Sequence, residues 1–325
     1  MENLRVRQAI GAAIAAVYAT LLAACGTAAS PPAIPAAKVD NSQSGAPARR
    51  PDGPQTHTSR VLFVSNLDGG VRVYSADIHE PNPPLLGTIT QGATHPEGVW
   101  IDRKDTLYVV NAEQYPIQAN VVEYKRGTTS PFRTITNGIL APGAVAVAHD
   151  GTVYVNTITE LNEHVIVVYA PGATTPKQTI TLTSPQYGPS AGGMAFDPHG
   201  NLLAATFGNA NEVHVFKIAP GSSQATDLGL QGTGGDAIAV DGAGNLYAGG
   251  AGYFVAVYAP GATSPTRTIP NGFAAYGLTA TTNGTLYVVG DNAVAEYPPG
   301  ASAPINTIDT LYGETFTFDA AIGSQ

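Results

Sequence analysis

The sequence predicts an all-β fold, a six-bladed β-propeller in which the C-terminal strand closes the N-terminal blade. Three observations predict it. First, thirteen residues recur almost unchanged: VYAPGATTPKQTI from Val168 returns as VYAPGATSPTRTI from Val257, with looser copies EYKRGTTSPFRTI from Glu123 and EYPPGASAPINTI from Glu296. The aromatic positions Tyr124, Tyr169, Tyr258 and Tyr297 are spaced 45, 89 and 39 apart, so the wide gap holds two repeats and one worn copy, VFKIAPGSSQATDLGL from Val215. A period near 40 residues that reads as strand and turn is that of a propeller blade. Second, charged residues are 12% of the 325-residue chain, about half the usual share of roughly 25%. Its 37 Gly and 25 Pro punctuate short apolar runs, the pattern of many strands joined by tight turns. Third, six small-residue strands can be counted, one per blade.

Those six are GVWID (98–102), AVAVA (144–148), GMAFD (193–197), AIAVD (237–241), GLTAT (277–281) and TFTFD (315–319). Blades converge on an axis, so the innermost strand must be built of small residues. A turn follows, as in DPHGNL from Asp197 or DGAGNL from Asp241. There Asp can accept backbone amide hydrogen bonds and Gly supplies a positive φ. A second strand comes next, such as TLYVVN (106–111) or NLYAG (245–249), and a third ends in the motif aromatic. Pro-Gly then forms a turn, and TI marks the outer strand. The later Pro, as in Pro176 and Pro265, suits an outermost strand with one unpaired edge. Three strands (60–66, 71–75 and 86–90) precede the first complete unit without an inner strand of their own. One inner strand remains at the C-terminus, and these pieces complete each other. The motif therefore builds a corner and is assigned no catalytic role.

The first 58 residues read differently. Arg5 and Arg7 precede the apolar run AIGAAIAAVYATLLAA (9–24), which has the form of a secretory signal. It ends in LAAC at Cys25, the chain's one cysteine. This resembles the lipobox of bacterial lipoproteins, which implies a signal peptide over 1–24 and lipidation of Cys25. The other reading is plain signal cleavage with the cysteine as a bystander. Residues 25–59 are rich in Pro, Ala and Ser and lack aromatics; they read as a disordered tether. The expected location is outside the cytoplasm, membrane-anchored in the outer membrane and periplasm or at the cell surface.

The formal charge is −9, and the segment 59–325 has ten Lys/Arg against twenty-one Asp/Glu. An acidic domain with no basic stripe argues against nucleic acid as partner. The seven histidines show no zinc-binding spacing. GPSAG (188–192) matches G-x-S-x-G, but Ser190 enters an inner strand with no helix pattern behind it, so no nucleophile elbow is expected.

Aligning the inner strands on their turns puts Glu314, Glu97, Gly143, Gly192, Asp236 and Tyr276 at the channel entrance. Glu97, Asp236 and Glu314 could share Ca²⁺, a cation that takes oxygen ligands; the alternative is hydrated carboxylates, or caps on backbone amides. Asn66, Asn111 and Asn156 end second strands and face the same mouth or satisfy turn amides. Tyr115, Tyr187 and Tyr276 are candidates for stacking a sugar or peptide.

The D-x-x-G-N-L-Y turns, cleanest at Asp241–Tyr247, resemble those of NHL-repeat and gluconolactonase-like six-bladed propellers over roughly residues 60–319. PEGVW (96–100) faintly resembles the first acidic strand of the latter family. That resemblance implies a metal at the mouth with Glu97 as a ligand, although no Asn-Gly ligand strand is found. Two functions follow as expectations: a tethered binding module for a peptide, glycan or protein partner, with no cofactor required, or a Ca²⁺-dependent lactonase-like hydrolase.

Overall fold

The computed structural model describes residues 60–324 except 68–69, 77–82, 113–117, 162, 184–189, 208–212, 233–236, 251, 291–292 and 310–316. The segments read from sequence as signal and tether, with Cys25 between them, lie outside the described residues. Ser59–Gln325 forms one compact unit.

The described residues form six four-stranded antiparallel sheets. Blade 1 joins β1 (Arg60–Asn66), β2 (Val71–Ser75) and β3 (Leu85–Ile89) to β24 (Thr317–Ser324). Blade 2 is β4 (Pro96–Ile101), β5 (Leu107–Asn111), β6 (Asn120–Tyr124) and β7 (Arg133–Ile135). Blade 3 is β8 (Ala144–Val147), β9 (Val153–Ile158), β10 (His164–Tyr169) and β11 (Gln178–Thr181). Blade 4 is β12 (Ser190–Phe196), β13 (Leu202–Phe207), β14 (Val213–Ile218) and β15 (Ala225–Asp227). Blade 5 is β16 (Ala237–Val240), β17 (Leu246–Gly249), β18 (Phe254–Tyr258) and β19 (Arg267–Pro270). Blade 6 is β20 (Gly277–Ala280), β21 (Leu286–Val289), β22 (Ala293–Tyr297) and β23 (Asn306–Asp309). The predicted fold class and its closure are both present.

Six apolar clusters fill the six gaps between neighbouring blades. The gap between blades 2 and 3, for example, holds Tyr108, Val110, Val121 and Ile135 against Val145, Val155, Val167 and Tyr169. That between blades 4 and 5 holds Leu203, Ala205 and Val215 against Ile238, Ala248 and Tyr258. Each blade buries both faces, which explains strands that are apolar on consecutive residues. Inner strands come close: a Cβ on Gly98 would stand 2.8 Å from the Gly143 carbonyl oxygen. Small residues at this level are therefore a steric requirement.

Antiparallel order gives the ring two unlike ends. Each inner strand runs from an end we term the mouth to an end we term the floor. Inner-to-second and third-to-outer turns lie at the floor. Second-to-third turns lie at the mouth; each link starts beside the next blade's third-to-outer corner, as Gln91 beside Ser130 and Gln231 beside Thr263, and ends at the mouth where the next inner strand begins.

The floor turns behave as the sequence predicts. Asp197 Oδ1 accepts from the amides of His199 and Asn201 at 2.9 and 2.8 Å, and Asp241 Oδ1 from Ala243 and Asn245 at 3.0 and 2.9 Å. Gly151, Gly200, Gly244 and Gly284 have φ of 88°, 79°, 83° and 89°, and in blade 2 Asp105 takes the same conformation at 58°. The Pro-Gly corners are type II turns: the amides of Ala173 and Ala262 donate to Ala170 and Ala259 across Gly172 and Gly261, both with positive φ.

The recurring motif also has a partner that its own sequence does not disclose. The Tyr124 hydroxyl donates to the Gln91 carbonyl at 2.7 Å, Tyr258 to Gln231 at 2.8 Å, and Tyr169 to Asn137. Each acceptor belongs to the link leaving the preceding blade and precedes a glycine of positive φ: Gly92, Gly232 and Gly138. The later motif proline sits over that glycine, with Pro131 3.2 Å from a Cβ on Gly92 and Pro176 3.0 Å from one on Gly138. The thirteen residues are thus a latch between neighbouring blades. Burial pushes the Tyr124, Tyr169 and Tyr258 hydroxyls up to about 12, so they stay protonated donors. Tyr169→Phe should cost about 1 kcal/mol, the net value of one such bond, read by urea unfolding.

One inner strand departs from its predicted position. The sequence predicts a strand over 315–319 with Asp319 in the turn; the observed strand runs Thr317–Ser324, with Arg60 opposite Ser324 and Val64 opposite Ala320. The physical reason is the closure itself. Two chain ends meet here, no turn connects β24 to β1, and Asp319 has no turn to cap.

Candidate functional site

The mouth carries the described candidates. Glu97 is half-buried on β4, and the carbonyl oxygen of Glu97 accepts from Ser65 Oγ at 2.7 Å. Tyr276 is half-buried just before β20, its amide donating to the Val289 carbonyl at 2.8 Å. Gly143 donates to the Asn156 carbonyl at 3.0 Å, and Gly192 is a strand residue of β12. Asp236, Glu314, Tyr115 and Tyr187 lie outside the described residues. Among the described residues, no group of three or more His, Cys, Asp or Glu side chains is gathered as a metal site would need. Ser190 starts β12 and is followed by strand, which is not the strand-to-helix geometry of a nucleophile elbow.

The three asparagines divide. Asn111 is fully buried: its Oδ1 accepts from the Thr94 and His95 amides at 3.0 and 3.3 Å, and its Nδ2 donates to Gly92 and Asn120. That is the amide-satisfying role. Asn66 is buried. Asn156 donates through Nδ2 to the carbonyls of Gly192 and Ala205 at 2.9 and 3.0 Å, spanning blades 3 and 4. Those two acceptors fix the amide's orientation. Its Oδ1 is buried with no hydrogen-bond partner.

Asp319 occupies a place that sequence alignment did not give it. At the same level the other inner strands carry Gly98, Ala144, Gly193, Ala237 and Gly277, by register with their second strands. The Asp319 carboxylate instead reaches into blade 2. Oδ2 accepts the Val99 amide at 3.1 Å and Oδ1 the Ala320 amide at 2.8 Å. Ser65 Oγ donates to the Glu97 carbonyl at 2.7 Å, with the Asp319 carbonyl a longer alternative at 3.2 Å, and accepts the Asp319 amide, tying blades 1 and 2 at the seam. Burial pushes this carboxyl up to about 7, against the lowering effect of the two amides.

An aspartate in the unfolded chain titrates near ~4, so the folded state binds the extra proton between about 4 and 7. Stability is greatest below that window and falls as pH rises through it. Asp319 is not wholly closed to solvent, which moderates the loss to about 2 kcal/mol. Asp319→Asn, which keeps an acceptor for Val99, should flatten the fall in melting temperature between about pH 5 and pH 8. An unchanged slope would contradict the assignment.

Sequence reasoning missed Tyr253. It is about half exposed and held in the left-handed backbone region at φ 56°, which a bulky aromatic avoids. It stands in the blade 5 turn at the mouth. Its carbonyl accepts from Asn271, and Ala275 donates to Gly250 at 3.0 Å. The segments bearing Tyr253 and Tyr276 are therefore bonded side by side. Only a neighbouring Gly252 hinted at this geometry.

Comparison with protein-family models and with curated proteins gives no match. Among solved structures, the chain is similar to a protein of unknown function from Bacteroides caccae: TM-score 0.60, 11% identity, covering 81% of this chain and 98% of that one. It is also similar to the hydrazine synthase of Kuenenia stuttgartiensis: TM-score 0.55, 15% identity, covering 74% of this chain and 80% of that one. At these identities the likeness is of fold. The class defined is a six-bladed β-propeller.

Proposed function

We propose that this is an exported, membrane-tethered propeller whose mouth binds a peptide, glycan or protein partner. The observation that carries the reading is Tyr253, an exposed aromatic held in a costly backbone conformation beside the Tyr276 segment. Strained, exposed residues persist where the surroundings impose them, and they cluster at binding sites. Aromatic faces supply much contact area at small entropic cost. The described turn aspartates and motif tyrosines are committed to the fold, which leaves the mouth as the surface on which the blades differ.

The test is a screen of the folded chain on glycan and peptide arrays, followed by Tyr253→Ala/Tyr276→Ala. A captured partner should lose at least about tenfold in affinity, the cost of one to two stacking contacts. Tyr253→Gly should relieve backbone strain and melt no lower than wild type while losing the partner. A partner held equally by all variants would refute the reading.

A second reading, a Ca²⁺-dependent lactonase-like hydrolase, is favoured by one observation: the unpartnered Asn156 Oδ1 behind the mouth. A hard cation takes such an oxygen together with carboxylates, and Glu97, Asp236 and Glu314 are the candidates for those. Melting in EDTA and in millimolar Ca²⁺ decides it. At roughly 100-fold saturation a bound ion adds about 2.7 kcal/mol, and Glu97→Gln/Asn156→Ala would remove the gain. No shift would dispose of the hydrolase reading.

A further inference from the structure

We propose that the floor edge of blades 6, 1 and 2 is a lipid-facing surface that lies on an anionic membrane while the mouth faces away. The inference rests on the membrane-anchor reading of Cys25.

Three observations carry it. The first is the distribution of exposed apolar side chains. Leu85 and Leu86 are 49% and 44% exposed, Phe132 is 46% and Ile305 is 55%. Leu85 and Leu86 begin the outer strand of blade 1; Phe132 and Ile305 directly precede the outer strands of blades 2 and 6. All four lie at the floor ends of outer strands in three consecutive blades. Among the described residues, the other large exposed apolar side chains, Leu161 and Tyr253, are at the mouth end. Outer strands are expected to be blunted by polar residues, so this run of bulky apolar side chains asks for a partner phase.

The second is charge. The domain as a whole is acidic, but not uniformly. Residues 60–133 carry seven Lys/Arg against eight Asp/Glu, and residues 134–325 carry three against thirteen. Of the basic seven, Arg60, Arg103, Lys104, Lys125 and Arg126 are exposed, and all five lie at the floor end. Lys125 Nζ and the Arg133 guanidinium flank the Phe132 ring at 5.5 and 5.6 Å. Arg126 meets Asp105 at 3.4 Å, a solvent-exposed pair. An apolar ring framed by cations is suited to the headgroup boundary of an anionic leaflet, where long basic stems keep their charge at the phosphates. Blade 6 carries no Lys or Arg, so the basic residues of blades 1 and 2 set the orientation.

The third is where the described chain begins. Arg60 opens β1 at the floor of blade 1, and its carbonyl accepts from Ala76 at 2.9 Å. The chain from Cys25 therefore reaches the folded head at the same end of the same blade that bears Leu85 and Leu86. An anchor on Cys25 would draw the bilayer toward that end of the blade.

The test separates the rim from the anchor. The mature-length chain with Cys25→Ser is floated with vesicles of about one-third phosphatidylglycerol in phosphatidylcholine, and with phosphatidylcholine alone. Binding to the anionic vesicles is expected, weakened by salt, and reduced about tenfold by Leu85→Ser/Leu86→Ser and likewise by Lys125→Glu/Arg126→Glu. Tyr253→Ala should leave it unchanged. No flotation, or flotation indifferent to both pairs of substitutions, overturns the inference. So does a dimer that Leu85→Ser/Leu86→Ser splits, because the rim then belongs to a second copy. Acylation of the wild-type chain, read as a mass increase on Cys25, tests the anchor independently.

Discussion

A chain ending at Phe316 should fail to unfold cooperatively. Removing residues 317–325 takes away β24, which contributes to three places at once. It supplies the only described backbone partner of β1 on the inner side, from Arg60 opposite Ser324 to Asn66 opposite Thr317. It places Ala320 in the cluster between blades 6 and 1, and Ala321 in the one between blades 1 and 2. It carries the Asp319 link to the Val99 amide of blade 2. A propeller buries its edges by closing, so an open ring exposes a strand edge and two apolar gaps together. The expected result is loss of the melting transition and aggregation, partly rescued by a peptide spanning 317–325 supplied in trans. A truncated chain that melts within a few degrees of the intact one would mean that closure contributes little.

Arg133→Ala should be the most damaging single substitution away from the mouth. Glu123 is fully buried on β6 opposite Arg133 on β7. Arg133 Nε donates to Glu123 Oε1 at 2.7 Å, and a second guanidinium nitrogen meets Oε2. The hydrogen bond raises the arginine's own affinity for its proton. Burial, then Glu123 and Asp102, push the neighbouring Tyr108 hydroxyl well above its ordinary range, so it remains a neutral donor. Truncating Arg133 leaves a carboxylate in a site closed to water. The cost is about 3 kcal/mol, the low end for a broken buried pair because Arg133 retains some exposure. Replacing both partners, Glu123→Gln with Arg133→Met, should return most of it. Urea unfolding at neutral pH measures both; equal losses would show that packing rather than charge holds the site. Blade 6 makes the same point in reverse: Glu296 repeats Glu123, but Asn306 stands where Arg133 would, and Glu296 accepts from the Tyr287 hydroxyl at 3.0 Å.

What was legible in the sequence was local. The Asp-capped turns at Asp197 and Asp241 and the Pro-Gly corners at Gly172 and Gly261 are written within a few residues, and they take their predicted geometry. What joins one blade to the next was not. The motif tyrosines are visible as a repeat, yet their acceptors Gln91, Asn137 and Gln231 lie in another blade about thirty residues away. Asp319 reads as one more turn aspartate because it follows an alternating strand. Its true partner, Val99, is across the seam where the chain ends meet. Tyr253 escapes a reading of the sequence because a positive φ at a non-glycine residue is imposed by surroundings and leaves little trace in composition. Of the mouth residues named from sequence, Glu97 lies on β4 and Tyr276 just before β20. What they would hold depends on side chains from other blades, which no local pattern records.

The mouth is expected to take the partner and the floor turns are not. Hydrogen exchange on residues 59–325, with and without the partner captured on the arrays, tests it most directly. Slowed exchange is expected in 250–254, 273–276 and 95–99, with the floor turns at 102–106, 170–173 and 241–245 unchanged. Protection confined to the floor turns, or none at the mouth, would contradict it.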